Sequence, residues 1–167
     1  MKKWSTKVWV TLAMMVAIEV VLSRFLSINA WNLKIGFSFI PIVVVGILYG
    51  ALPAGVVGVV ADLIGATLFP SGTFFPGYTL TAFLTAFVFG LFLHKKQTTS
   101  HIVMAVAINQ FVMSLFLQSY WISFQYMTPY FAVVGSRIVQ CLVMTPTQFL
   151  TIKVIVRVLQ RYTGKKD

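Results

Sequence analysis

Apolar positions come in six long runs, separated by short polar or Pro/Gly-rich breaks. A helix that crosses a bilayer needs about 20 mostly apolar residues, each rising ~1.5 Å. The pattern predicts helices over residues 7–23, 37–49, 54–69, 78–93, 101–124 and 131–159. The second run is short, so that helix is expected to tilt or to begin earlier. Between the first two lies a polar, aromatic stretch with Trp31, Asn32 and Lys34. Gly50-Ala51-Leu52-Pro53 reads as a tight turn, and Pro70-Ser71-Gly72-Thr73 and Met127-Thr128-Pro129 as breaks. The expected fold class is an all-α membrane protein with six transmembrane helices, built as a single integral membrane domain over residues 1–167.

Composition supports the bilayer as solvent. The chain is 59% hydrophobic and 10% charged, with a mean hydropathy of +0.90, whereas soluble domains carry about 25% charged residues. The formal net charge of +10 does not describe a nucleic-acid groove. Lys2, Lys3, Lys7, Lys95, Lys96, Lys153, Arg157, Arg161, Lys165 and Lys166 all flank apolar runs, as cytoplasmic residues beside membrane helices do. Both termini and the Lys95–Lys96 loop are therefore expected on the cytoplasmic side. Lys2–Lys3 ahead of an apolar run resembles a signal peptide, but no small-x-small cleavage site follows, so a retained first helix is expected. The lone cysteine, Cys141, excludes an internal disulfide and a multi-cysteine metal site. His94 and His101 flank one loop with no third ligand nearby, so no metal is expected.

Charge inside the apolar layer changes the picture most. Between Ile35 and His94 only Asp62 is charged. An ionisable group in a spanning segment is costly, and usually faces a bundle interior, a cavity or a partner. Gln110, Ser114 and Gln118 recur at four-residue spacing on the fifth helix, and Trp121 and Gln125 continue that face. Arg137, Gln140, Met144 and Gln148 share a face of the sixth. With Arg24 at the end of the first helix, these groups suggest an outward-facing cavity for a polar, anionic small molecule. Trp31, Phe74, Phe75, Tyr78, Tyr126 and Tyr130 are placed to close over a flat ring. The plainer alternatives are a structural Arg137–Asp62 contact, a snorkelling Arg24 and an ordinary aromatic belt. Glu19 either bonds within the bundle or meets the cavity.

Small residues recur four apart at Ala13/Ala17, Gly46/Gly50, Ala54/Gly58, Ala61/Gly65 and Ala82/Ala86/Gly90. Such spacing lets helices approach closely, within the bundle or against another subunit. There is no Gly-rich phosphate loop, no His-Glu pair at metal spacing and no Gly-x-Ser-x-Gly elbow. No enzyme activity is expected, and any active transport must draw its energy from partners.

The six-run layout and Ala13-Met-Met-Val-Ala17 resemble the substrate-binding S components of energy-coupling factor (ECF) transporters. Ala61-Asp62-Leu63-Ile64-Gly65-Ala66, Phe69-Pro70-Ser71-Gly72 and Phe75-Pro76-Gly77-Tyr78-Thr79-Leu80-Thr81-Ala82-Phe83 resemble the folate-specific members. The resemblance implies a vitamin receptor in a bacterial plasma membrane. It implies that Ala13 and Ala17 dock a transmembrane coupling subunit, which joins two cytoplasmic ATPase subunits that consume ATP. This chain would need no cofactor of its own, and its S component would topple to carry substrate inward. The candidate substrate-binding residues are then Arg24, Trp31, Lys34, Asp62, Phe75, Gly77, Tyr78, Gln118, Trp121, Arg137 and Gln140. A carboxylate suits the adjacent N–H donors of a pterin edge, aromatics suit its flat ring, and Arg24, Lys34 or Arg137 suit the carboxylates of a glutamate tail. Riboflavin, thiamine or a queuosine precursor on the same scaffold is the alternative. A structural membrane subunit would leave the buried polar groups unexplained.

Overall fold

The computed structural model describes residues 5–30, 33–70 and 73–163, with side chains over 5–27, 36–70 and 73–161. The chain is helical. Helix α1 spans Thr6–Arg24, α2 Phe39–Tyr49, α3 Ala51–Leu68 and α4 Pro76–Leu93. A continuous rod, Thr99–Tyr126, follows. It comprises α5 (Thr99–Ala107), a π-helical segment (Ile108–Leu117) and α6 (Gln118–Tyr126). Helix α7 covers Tyr130–Thr163. Among the described residues, five of these helical stretches are long and apolar enough to cross a membrane, and α2 is a shorter apolar helix. The expected helical bundle is present, with one addition. After α1, β1 (Ile28–Ala30) and β2 (Leu33–Ile35) pair antiparallel, Asn29 opposite Lys34. The polar stretch that breaks the apolar pattern thus turns back on itself as a hairpin.

Two boundaries differ from the pattern. Pro53 lies in the first turn of α3, where its missing N–H costs no hydrogen bond. The break between α2 and α3 shrinks to Gly50, whose φ of 94° is a left-handed value that favours glycine. His94 closes this corner. Its ring lies 3.5 Å from the place a Gly50 Cβ would take, and its Nδ1 sits 3.1 Å from Ile47 O, one of the last carbonyls of α2. Similarly, α4 starts at Pro76 rather than Tyr78, with the proline in its first turn.

The small-residue pairs pack the core. A Cβ on Gly58 would touch Ala82 O and Ala86 Cβ at 3.0 and 3.1 Å, and one on Gly46 would stand 3.0 Å from Gly90 Cα. Helices α2, α3 and α4 therefore meet backbone to backbone, as close packing in lipid requires. Around them Val43, Phe89, Leu93, Val106 and Ile152 form a continuous apolar core. Ala13 and Ala17 are the exception: both are exposed. They lie on a bare face of α1 with Val10, Met14, Ile18 and Val21.

Candidate functional site

The polar side chains converge on one cavity. It has about 200 Å³ of room, against the ~10–15 Å³ that one water takes by the same measure, so it is not a packing defect. Glu19 of α1 and Phe39 and Ile42 of α2 form one side, with Gly36 and Ser38 just before α2. Gly58 and Asp62 come from α3, and Tyr78, Thr81, Ala82 and Thr85 from α4. Asn109, Gln110, Ser114 and Gln118 come from the rod, and Gln140, Met144 and Gln148 from α7.

The π-helical segment explains how one rod supplies so many of these groups. Bonds from i to i+5 widen the turn, and such segments are frequent at functional sites. Asn109 and Ser114 stand five apart and both reach the cavity, whereas the α periodicity groups Ser114 with Gln110 and Gln118. Asn109 Nδ2 donates to Thr85 O at 3.3 Å. A carbonyl only accepts, so this bond fixes the amide's orientation. It leaves Asn109 Oδ1 buried, with no protein donor among the described residues. Gln110 Oε1 and Gln148 Oε1 are buried likewise. A buried acceptor left unpaired costs about 1–3 kcal/mol, so these amides are a cost to the fold that packing alone does not explain.

Asp62 lines the cavity and accepts from Thr79 Oγ1 through Oδ2 at 2.7 Å. Tyr78 also lines it, and its hydroxyl donates to Gln125 Oε1 at 2.8 Å. Gln125 Nε2 in turn donates to Thr73 O at 2.9 Å, tying the α3–α4 connection to α6. Gln118 and Gln140 complete the expected residues that stand on the cavity wall.

Others stand behind that wall. Arg137 is only 2% exposed and donates to Ser114 Oγ at 3.1 Å and Gln118 Oε1 at 3.0 Å. Trp121 Nε1 donates to the Thr81 hydroxyl at 3.1 Å, and Thr81 passes a bond on to Gly77 O at 2.9 Å. Gly77 is buried beneath that indole: a Cβ there would fall 2.6 Å from Trp121 Cδ2. Phe75 packs on Trp121, Tyr78 and Phe124 with ring centroids 5.4–6.0 Å apart. Arg24 rests on α3, where a Cβ on Gly65 would meet its Nε at 2.6 Å. Trp31, Ser71 and Gly72 lie outside the described residues, and Lys34 enters only through its place in β2. Phe74, Tyr126 and Tyr130 lie at the same end, Tyr130 edge-on to Phe131 at 5.7 Å.

Several wall residues had no signal in the pattern. Thr81, Thr85 and Ser38 are ordinary helix hydroxyls in sequence, and Asn109 is out of phase for an α-helix. Glu19, expected either to bond within the bundle or to meet the cavity, is among the lining residues.

Known proteins share the sequence pattern and the fold. The model of the family described as ECF transporter, substrate-specific component, matches residues 7–156. A folate transporter FolT from Clostridium novyi (strain NT) is 39% identical over 73% of this chain and 70% of its own length. Another, from Leuconostoc mesenteroides subsp. mesenteroides, is 31% identical over 87% of this chain and 82% of its own. Among solved structures, a crystal structure of FolT bound with folic acid superposes with a TM-score of 0.86 at 32% identity. It covers 90% of this chain and 93% of that one. With more than half of its length matched by the family model, and the FolT transporters among its relatives, the chain belongs to the substrate-specific components of ECF transporters.

Proposed function

We propose that this chain is the membrane receptor for folate in an ECF-type importer, and that the cavity between α3, α4, the π-helical segment and α7 is its binding site. The observation that carries the reading is a cavity wall that gathers the Asp62 carboxylate with the side-chain amides of Asn109, Gln110, Gln118, Gln140 and Gln148. A pterin edge presents adjacent N–H donors, which match acceptors of this kind. The FolT relatives and the folic acid complex support the same ligand.

In this reading Asp62 accepts from the pterin, and Asn109, Tyr78, Gln118 and Gln140 line its path. Phe75, Trp121 and Gly77 hold the aromatic rim in shape. Arg137 holds Gln118 and Ser114 rather than meeting the ligand. Arg24 and Lys34 are the cations for the glutamate tail, and Trp31 is a further aromatic for the ligand. Six helices cross the bacterial cell membrane as one domain over residues 1–167, with α2 the tilted or short one and both termini cytoplasmic. Ala13 and Ala17 dock a transmembrane coupling subunit, and two cytoplasmic ATPases supply the energy. The chain binds; it carries out no chemistry and holds no cofactor.

Calorimetric titration of the purified chain with folic acid, with mass spectrometry of any co-purified ligand, tests this. Saturable one-to-one folic acid binding or a co-purified pterin is expected. Binding of riboflavin or thiamine in place of folic acid overturns it.

A further inference from the structure

Threonines inside helices usually satisfy their hydroxyls at home. Thr11, Thr67, Thr81, Thr145, Thr147 and Thr151 all donate to the carbonyl four residues earlier on their own helix. Thr79 does not. It stands in the first turns of α4 with a carbonyl available at Phe75, yet its Oγ1 crosses to α3 and donates to Asp62 Oδ2 at 2.7 Å. A hydroxyl on a carboxylate at that distance is a short, charge-assisted bond.

Location gives the bond a purpose. Asp62 lines the polar cavity, while Thr79 is absent from its wall and lines a shallow apolar groove on the opposite side, with Val59, Leu63, Leu80 and Phe83. Thr79 therefore reaches the carboxylate from outside the cavity wall. A carboxylate turns freely about Cβ–Cγ unless one oxygen is held. Among the described residues, Thr79 is the donor to Asp62, and Oδ1 has none.

We infer that Thr79 is a positioning residue: it pins Oδ2 so that the carboxylate plane meets the ligand in one orientation. It touches no ligand and acts only through Asp62. This rests on the folate reading of the cavity. Thr79→Val is nearly isosteric and puts a methyl where the hydroxyl stood, against the carboxylate, so it removes the bond without opening a hole. Thr79→Ser keeps the hydroxyl and drops the methyl.

Folic acid affinity is measured by calorimetry on wild type, T79V, T79S, D62N and the T79V/D62N double variant, with melting temperatures on the same samples. T79V is expected to bind about tenfold more weakly, and T79S within about threefold of wild type. T79V is expected to cost nothing further on the D62N background, since residues acting through one another are non-additive. Equal affinity for T79V and wild type, tighter binding by T79V, or full additivity in the double variant overturns the role. If T79V fails to fold, T79S against wild type and T79S/D62N against D62N carry the same comparison: loss of affinity in T79S despite its hydroxyl overturns it. A wild type that does not bind folic acid overturns the ligand assignment first, and this role with it.

Discussion

Arg137 stands behind Gln118: its guanidinium donates to Gln118 Oε1 at 3.0 Å, and the amide, not the cation, faces the cavity. The same group reaches Ser114 Oγ at 3.1 Å. One buried cation thus orients two cavity-wall side chains from different turns of the rod. With both acceptors held by Arg137, Gln118 has its Nε2 to offer a ligand. Arg137→Met removes two charge-assisted bonds and strands both acceptors, each worth about 1.5–3 kcal/mol. It is expected to lower melting temperature and folic acid affinity together. Thermal unfolding in detergent beside calorimetry checks this. A loss of affinity at unchanged melting temperature would instead mean that Arg137 meets the ligand directly.

Asp62→Asn separates binding from folding in the opposite way. A carboxylate among apolar helices is costly to the fold, so neutralising it is expected to leave the melting temperature unchanged or raised. The lost charge-assisted bond to the ligand is expected to weaken folic acid by about tenfold or more. Unchanged affinity with a lower melting temperature would assign Asp62 to structure alone.

The core gives a stability test that does not touch the cavity. A Cβ on Gly90 would fall against backbone, with Ala51 N at 2.7 Å and Gly50 C at 2.8 Å. Backbone cannot rotate away as a side chain can. Gly90→Ala is expected to cost about 1–3 kcal/mol through forced separation of α4 from the α2–α3 corner. On α7, a Cβ on Gly135 meets nothing within 4 Å. Gly135→Ala is expected to be neutral, or to stabilise by up to ~1 kcal/mol through helix propensity. Equal melting temperatures for the two variants would mean that the close α2–α3–α4 packing is not what holds the bundle.

Much of this was legible from residue pattern because the bilayer imposes simple rules. A lone Asp62 in a long apolar stretch had to face something polar, and it lines the cavity. Gln140, Met144 and Gln148 kept their α-helical spacing and reach it together. What stayed hidden depends on geometry that no spacing encodes. The π-helical turn brings Asn109 inward, a place the α period does not give it. Arg137 and Gln118 lie on different helices, so which one stands in front is decided by packing depth. The hairpin beyond α1 was hidden because Asn29, Trp31 and Lys34 look like any polar break in an apolar pattern.

Helix α1 offers a test that separates capture from transport. Gly46, Ala54, Gly58, Ala61, Gly65, Ala86 and Gly90 are all buried in the bundle, whereas Ala13 and Ala17 are exposed one helical turn apart. Internal packing therefore does not account for this pair. Their neighbours Val10, Met14 and Ile18 are exposed too, so the two alanines form a low point on an apolar face. Neither alanine lines the cavity, which α1 reaches through Glu19. A partner helix can approach closely only where side chains are small. Ala13→Trp or Ala17→Trp is thus expected to bind folic acid within about threefold of wild type in the isolated chain, since an indole on this face displaces lipid and nothing else. The same variants are expected to lose ATP-dependent uptake when co-reconstituted with the coupling subunit and ATPases. Binding and uptake are measured on the same preparations, with pull-down of the coupling subunit as a third reading. Normal uptake with normal binding would place the partner on another face of the bundle.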